Sequence, residues 1–206
     1  VIFSLICVQG LLGWFMVSSG LIDNLDVSHY RLALHLGTAF IILSIIFWFI
    51  LENFEIKKFE NTVPQLFLTI FLFFIFLQII LGAFLAGLNG GLLFNTWPDM
   101  NGSFLPNDIH TKDLFLVESS SNPSIIQFYH RILAYVIIFF LIILNYLFIK
   151  KNLGLRSLLV FNLSVLLQIL IGIITLLSGA KIYYASLHQL GSIFVLTSFL
   201  FIIYKN

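Results

Sequence analysis

The sequence predicts an all-α, polytopic membrane protein with six transmembrane helices. Of its 206 residues, 60% are hydrophobic and only 9% are charged, where a soluble domain of this size carries roughly a quarter charged residues. The mean hydropathy is +1.08. Apolar runs recur six times, each near the length of about 20 residues that a bilayer-crossing helix needs. The net charge of +1 says nothing about nucleic acid, and no basic run suggests it as a partner. Cys7 is the single cysteine, so neither a disulfide framework nor a thiolate metal site is available within the chain.

The first predicted helix covers about 1–17. The chain starts at Val1, already inside an apolar run. It has neither the charged leader nor the small-residue cleavage site of a signal peptide. The expectation is a helix clipped at its start, with further sequence upstream. The other helices are expected at about 29–51, 64–86, 124–149, 156–177 and 183–204. Pro64 and Pro123 stand at helix starts, where a missing N–H costs least. Asn122 and Ser124 flank Pro123 as capping residues.

Lys57, Lys58, Lys150, Lys151, Arg156 and Lys205 fall on one side of this arrangement, which is expected to be cytoplasmic. Lys112 and Lys181 fall on the other, with Arg31 and Arg131 at helix mouths. The loop of about 87–123 is then on the outer side. Its stretch Asn95-Thr96-Trp97-Pro98-Asp99-Met100-Asn101-Gly102 combines turn residues with an interfacial aromatic. An ordered cap on the bundle is expected there.

The pattern repeats internally. Gln-x-x-x-Gly occurs at Gln9/Gly13, Gln78/Gly82 and Gln168/Gly172, each time in an outward-running helix. Each such helix is followed by an outer loop and an inward-running helix with a histidine near its start: His35, His130 and His188. The chain therefore reads as three copies of one hairpin. Gln-x-x-x-Gly is read as a packing device, with glycine allowing close approach and glutamine bonding across.

The three histidines lie at similar depth, roughly 8–10 Å inside their helices at 1.5 Å per residue. Residues 127–135 read Gln-Phe-Tyr-His-Arg-Ile-Leu-Ala-Tyr, and an ionisable pair such as His130-Arg131 is expensive in lipid unless it has a function. One turn deeper come small or short residues: Thr38 and Ala39, Ala134, and Gly191 and Ser192. They share a face with the histidines and leave the room a flat macrocycle needs. A b-type haem between parallel helices takes one histidine from each and wants cations for its propionates. Arg131 adjoins His130, and Arg31 lies four residues before His35 on the same face. Three histidines make one pair and leave one over, so a partner for His35 is expected in a further upstream hairpin.

A lone buried histidine is more often a hydrogen-bonded core residue than an iron ligand. Three at matched depth favour iron for His130 and His188. His29 reads as interfacial and His110 as solvated. A zinc site of His110 with Asp108 and Asp113 lacks the ligand spacing of helical sites. Arg31 and Arg131 also fit simple snorkelling anchors. The 24 phenylalanines read mostly as lipid-facing filler.

These motifs resemble the haem A synthase family, in its proteobacterial and mitochondrial form. The matching stretches are Leu12-Gly13-Trp14-Phe15-Met16-Val17 with Ser19-Gly20-Leu21, and residues 27–37, reading Val-Ser-His-Tyr-Arg-Leu-Ala-Leu-His-Leu-Gly. Residues 81–88, Asn95-Thr96-Trp97-Pro98, Gln127-Phe128-Tyr129-His130-Arg131 and Leu187-His188-Gln189 complete them, in order and over nearly the whole chain.

The resemblance implies eight helices in two pseudo-symmetric four-helix bundles, of which this chain is an N-terminally truncated fragment with six. Residues 1–56 would be the second half of the substrate-haem bundle and 57–206 the haem b bundle, with outer loop 87–123. The implied reaction oxidises the C8 methyl group of haem O to a formyl group, giving haem A for terminal oxidases. It implies haem b as cofactor, with His130 and His188 as axial ligands and Arg131 and Arg31 toward propionates. His35 becomes the catalytic-side residue facing the substrate haem. The fragment alone is expected to hold haem b without completing the reaction.

Haem O synthase and cytochrome oxidase assembly factors are implied partners, with homo-oligomerisation left open. The implied location is the bacterial inner membrane, or the mitochondrial inner membrane in a eukaryote. The outer loop lacks the cysteine pairs of some members. A bis-histidine cytochrome subunit exchanging electrons with quinone is the alternative, and it predicts ligands spread over both leaflets. A proton-handling transporter would need Asp or Glu deep in the spans, and none is present there.

Overall fold

A computed structural model describes residues 2–18 and 27–206. The resembling stretch Ser19-Gly20-Leu21, and Val1, lie outside the described residues. Six α-helices account for most of the rest: α1 Ile2–Ser18, α2 His29–Glu52, α3 Gln65–Gly87, α4 Pro123–Lys150, α5 Leu155–Leu177 and α6 Ile182–Lys205. Five of them are long and apolar enough to cross a membrane, and the described part of α1 is a shorter apolar helix. The chain is an all-α, multi-pass membrane protein, as its composition predicts.

Local sequence sets the helix ends. The Asn122 side chain accepts from the Ser124 and Ile125 N–H groups at 2.9 and 3.2 Å, with Pro123 as the first helical residue of α4. This satisfies two of the orphan donors that every helix start leaves. Pro64 precedes α3 as its N-cap and lies just outside the helix. The turn from α5 to α6 needs two left-handed residues, Gly179 (φ 72°) and Ala180 (φ 54°), and its shortness makes the two helices an antiparallel pair.

Helices pair along the chain as α1 with α2, α3 with α4 and α5 with α6. Helix α2 also packs on α3 and α6, so α3–α6 form a bundle with α2 on its flank and α1 on α2. The core lies toward the inner end. Phe71, Phe148, Phe161 and Phe199 are fully buried there, with ring centroids 4.7 Å apart for Phe71–Phe199 and 5.0 Å for Phe161–Phe199. Phe40 of α2 joins the same core. Part of the phenylalanine set thus builds the core and is not lipid-facing filler. In lipid there is little hydrophobic force between helices, and offset or edge-on aromatic packing supplies the cohesion.

The inner linker is stapled to the end of α6. The Phe59 N–H donates to the Lys205 carbonyl at 2.8 Å, and the Asn206 side chain bonds both the N–H (2.7 Å) and the carbonyl (3.2 Å) of Val63. Tight aromatic packing inside leaves the outer half of the bundle for polar side chains.

Candidate functional site

The outer half holds three repeats of one contact. In α1 and α2, Gln9 Nε2 donates to the His35 carbonyl at 3.0 Å and lies 3.3 Å from His35 Nε2. In α3 and α4, Gln78 Nε2 donates to the His130 carbonyl at 3.0 Å and lies 3.2 Å from His130 Nε2. In α5 and α6, Gln168 Nε2 donates to the His188 carbonyl at 2.8 Å. The glycine one turn on makes room for the same imidazole. A Cβ at Gly13 would lie 3.0 Å from His35 Cε1, at Gly82 3.4 Å from His130 Cε1, and at Gly172 2.8 Å from His188 Cε1.

Gln-x-x-x-Gly is a packing device, as its sequence suggests, but what it packs is the histidine of the next helix. Sequence reading placed both in one hairpin without putting the glutamine in contact with the histidine. The available signal was that each glutamine is followed, one helix later, by one histidine.

Gly191 corrects a second expectation. Its missing side chain does not leave space for a macrocycle, because a Cβ there would collide with Gln168 Oε1. Thr38 is satisfied within its own helix, its hydroxyl donating to the Leu34 carbonyl at 2.8 Å.

His130 and His188 face one another with ring centroids 6.4 Å apart and planes at 73°. Two metal–imidazole bonds of about 2 Å plus the radius of each ring bring the centroids of a bis-imidazole pair to roughly this separation. Nδ1 of both rings is buried without a hydrogen-bond partner, as is that of His35. Buried polar atoms left this way are costly, and the feature recurs at all three histidines. The donor set fits an iron held between two neutral imidazoles. His35 joins no second histidine ring among the described residues.

Arg131 is held by the outer loop, its guanidinium donating to the Asp99 carbonyl at 2.7 Å and the Phe94 carbonyl at 3.0 Å. Gln127, one turn earlier and buried, donates to the same Phe94 carbonyl at 3.0 Å. The loop is the ordered cap expected. Met100 is buried, and the Thr96 hydroxyl donates to the Asp99 carboxylate at 2.9 Å. The Gly102 N–H donates to the same carboxylate at 3.1 Å. These two donors, the Gly102 N–H foremost, hold the Asp99 carboxyl below its ordinary pKa.

Arg31 lies over the Phe15 ring, 4.6 Å from its centroid. His29 lies against Tyr30 with ring centroids 4.1 Å apart and planes tilted by 39°, meets Phe84 edge-on at 5.4 Å, and its backbone abuts Gly87. Tyr30 reaches the end of the outer loop, its hydroxyl 2.6 Å from Ser120 Oγ and 3.0 Å from Ser121 Oγ. Among the described residues no cluster of metal-ligating side chains forms around His110. Asp113 instead accepts from the His110 N–H at 2.9 Å, and Asp108 from the Ser124 hydroxyl.

Residues 1–200 match the profile of the COX15-CtaA family, described as cytochrome oxidase assembly protein. The chain belongs to this family. It is 58% identical over 205 residues to a protein of Pelagibacter ubique named heme A synthase, covering 100% of this chain and 61% of that protein. Heme A synthases of Rickettsia africae and Wolbachia pipientis are each 37% identical, over 94% of this chain and 59% and 55% of their own lengths. The chain thus spans about three fifths of the curated COX15-CtaA relatives it matches. The resemblance to haem A synthases read from the motifs is borne out at the level of the family.

Proposed function

We propose that this chain forms the haem-b-holding part of a haem A synthase. The whole protein would oxidise the C8 methyl group of haem O to a formyl group for terminal oxidase biogenesis in a bacterial inner membrane. The observation that carries the reading is the His130–His188 ring pair at 6.4 Å, with a buried, unpartnered Nδ1 on each ring. The names of the relatives support it.

In this reading His130 and His188 are the axial ligands of haem b. Held between two histidines, the group would supply one-electron transfer. Gln78 and Gln168 fix the two histidines by their backbone. Arg131, at the outer mouth of α4, brings positive charge to the side where propionates emerge and binds the loop in place. Arg31 has the corresponding task beside His35, which faces the substrate haem. The packed inner half excludes water from below, and the outer loop covers the site from above. Residues 57–206 form the haem b unit. Residues 1–56 belong to the substrate side, with α1 packed on α2 and α2 also packed on α3.

The test is a visible spectrum with pyridine haemochrome analysis of the detergent-solubilised chain beside His130→Ala and His188→Ala. A low-spin b-type spectrum, lost in both variants, is expected. A folded wild type without haem, or an unchanged spectrum in either variant, overturns the assignment. Extraction of haem A from cells carrying the whole protein separates this reading from a cytochrome that only exchanges electrons with quinone.

A further inference from the structure

Three elements meet at the inner end of the bundle and line a cavity of about 250 Å³. The inner linker contributes Lys57, Lys58, Phe59 and Glu60, the turn from α4 to α5 contributes residues 152–154, and α6 contributes Lys205. The three are bonded to one another, so the cavity is preformed. The Phe59 N–H donates to the Lys205 carbonyl at 2.8 Å, and the Asn61 side chain donates to the Lys151 carbonyl at 3.0 Å. Phe59 meets Phe148 edge-on with centroids 5.4 Å apart, and Phe148 and Leu153 are both buried.

Lysines at the inner face of a membrane protein are ordinary, but two of these are held in place. Lys58 Nζ donates to the Tyr204 carbonyl and lies over the Tyr204 ring, 3.5 Å from its centroid. Lys205 Nζ lies over the Phe59 ring at 4.7 Å. A carbonyl and a ring face leave the charge of an ammonium group unneutralised. Lys57 and Glu60 stand 3.5 Å apart with their side chains mostly exposed. Three lysines against one glutamate give the cavity an excess of positive charge. From its edge, Leu155 and Leu159 continue along α5, both exposed. Four residues apart, they share a face and extend an aliphatic strip toward the middle of the membrane.

We infer that this cavity is a headgroup site for an anionic glycerophospholipid of the surrounding bilayer, with Lys58 and Lys205 on the phosphate and the acyl chains along Leu155 and Leu159. Basic pockets between helices on this side of a membrane take such headgroups. The aliphatic strip favours a lipid over free phosphate, which has no use for it. A bound headgroup would tie the inner linker to the end of α6, and so couple the packing of the inner half to the composition of the leaflet. The inference does not depend on the haem reading, and its test needs no haem.

The test titrates the full chain in detergent with dilauroyl phosphatidylglycerol and with dilauroyl phosphatidylcholine, counting lipid adducts by native mass spectrometry. The phosphatidylglycerol titration is repeated in excess inorganic phosphate. A cation near anionic headgroups contributes roughly a fivefold factor in binding, so the two lysines are expected to favour phosphatidylglycerol by about 25-fold. Two variants address the cavity separately. Lys58→Gln with Lys205→Gln removes its fixed charge. Gly154→Leu fills it and leaves every lysine in place, since a Cβ there would lie 4.0 Å from Phe59 Cε1 with nothing closer. Lys150→Gln with Lys151→Gln is the control, because it removes the same charge from the same side outside the cavity.

The phosphatidylglycerol adduct is expected to be lost in the Lys58/Lys205 double variant and in Gly154→Leu, and to persist in the Lys150/Lys151 control and in phosphate. Equal uptake of the two lipids, equal loss in the two double variants, an adduct unchanged in Gly154→Leu, or displacement by phosphate overturns the inference. If the Lys58/Lys205 variant does not fold by circular dichroism and gel filtration, Gly154→Leu against the control decides alone.

Discussion

Gln168 occupies the space that a side chain at Gly191 would need. The residue that holds the His188 backbone is thus seated by a glycine on the same helix, three positions further along. Gly191→Ala is expected to drive Gln168 off the His188 carbonyl and to lower stability by about 1–3 kcal/mol, as overpacking does. Thermal unfolding in detergent, followed by loss of helix signal, measures it.

The glycines facing the imidazoles should rank by clearance. Alanine at Gly172 would bring a Cβ within 2.8 Å of His188 Cε1, whereas at Gly82 the distance to His130 Cε1 is 3.4 Å. Gly172→Ala is expected to reduce bound haem strongly and Gly82→Ala weakly. Haem titre per chain reads the order directly, and the reverse order would count against the packing role.

Asn145 and Asn162 exchange amide hydrogen bonds of 3.0 and 2.8 Å between α4 and α5. Replacing one strands the other among apolar side chains. Asn145→Leu and Asn162→Leu alone are each expected to destabilise more than the double variant. A coupling of about 0.6–1.7 kcal/mol is expected, in the range of interhelical hydrogen bonds in membranes. Reversible unfolding in mixed micelles across the four proteins gives it.

Much of this architecture was legible in the sequence because lipid narrows the choices. A spanning segment must be helical, since every backbone group must be bonded internally, and six apolar runs, two of them opened by Pro64 and Pro123, therefore set the helices. The three histidines were legible as a set because polar groups are rare at that depth. The link from Gln78 to His130 was not, because 52 residues and a long loop separate them. The phenylalanine core was misread because lipid-facing and helix-facing aromatics share one composition. Arg131 was read for its charge, while its hydrogen bonds run to carbonyls of a loop whose path the sequence does not specify.

Removing Arg131 should loosen that loop. Its guanidinium bridges the Asp99 and Phe94 carbonyls, and hydrogen bonds from a charged donor contribute about 1.5–3 kcal/mol. Arg131→Ala is expected to expose residues 95–110 to added protease in membrane vesicles, where the wild type resists.

The same loop should weaken in acid. Asp99 is held below its ordinary pKa by the Gly102 N–H and the Thr96 hydroxyl, so the folded loop binds its proton less readily than the unfolded chain. Its contribution is present above the ordinary carboxylate range and is lost as pH falls through the lowered folded value. The protection of the Gly102 amide, its exchange rate taken relative to the intrinsic rate at each pH, should fall over that acid window, and Asp99→Asn should abolish the fall.

The glutamine and histidine of one hairpin are separated by 26, 52 and 20 residues in the three copies, yet they meet in the same way. The contact lies inside each hairpin and makes no use of the loop above it. Each pair of helices therefore carries its own registration mark. Such a unit can be duplicated whole, and its loop can lengthen by insertion, without disturbing the depth of its histidine. A gene that grew by copying hairpins could acquire the long cap of α3–α4 in one copy while α5–α6 kept a short turn.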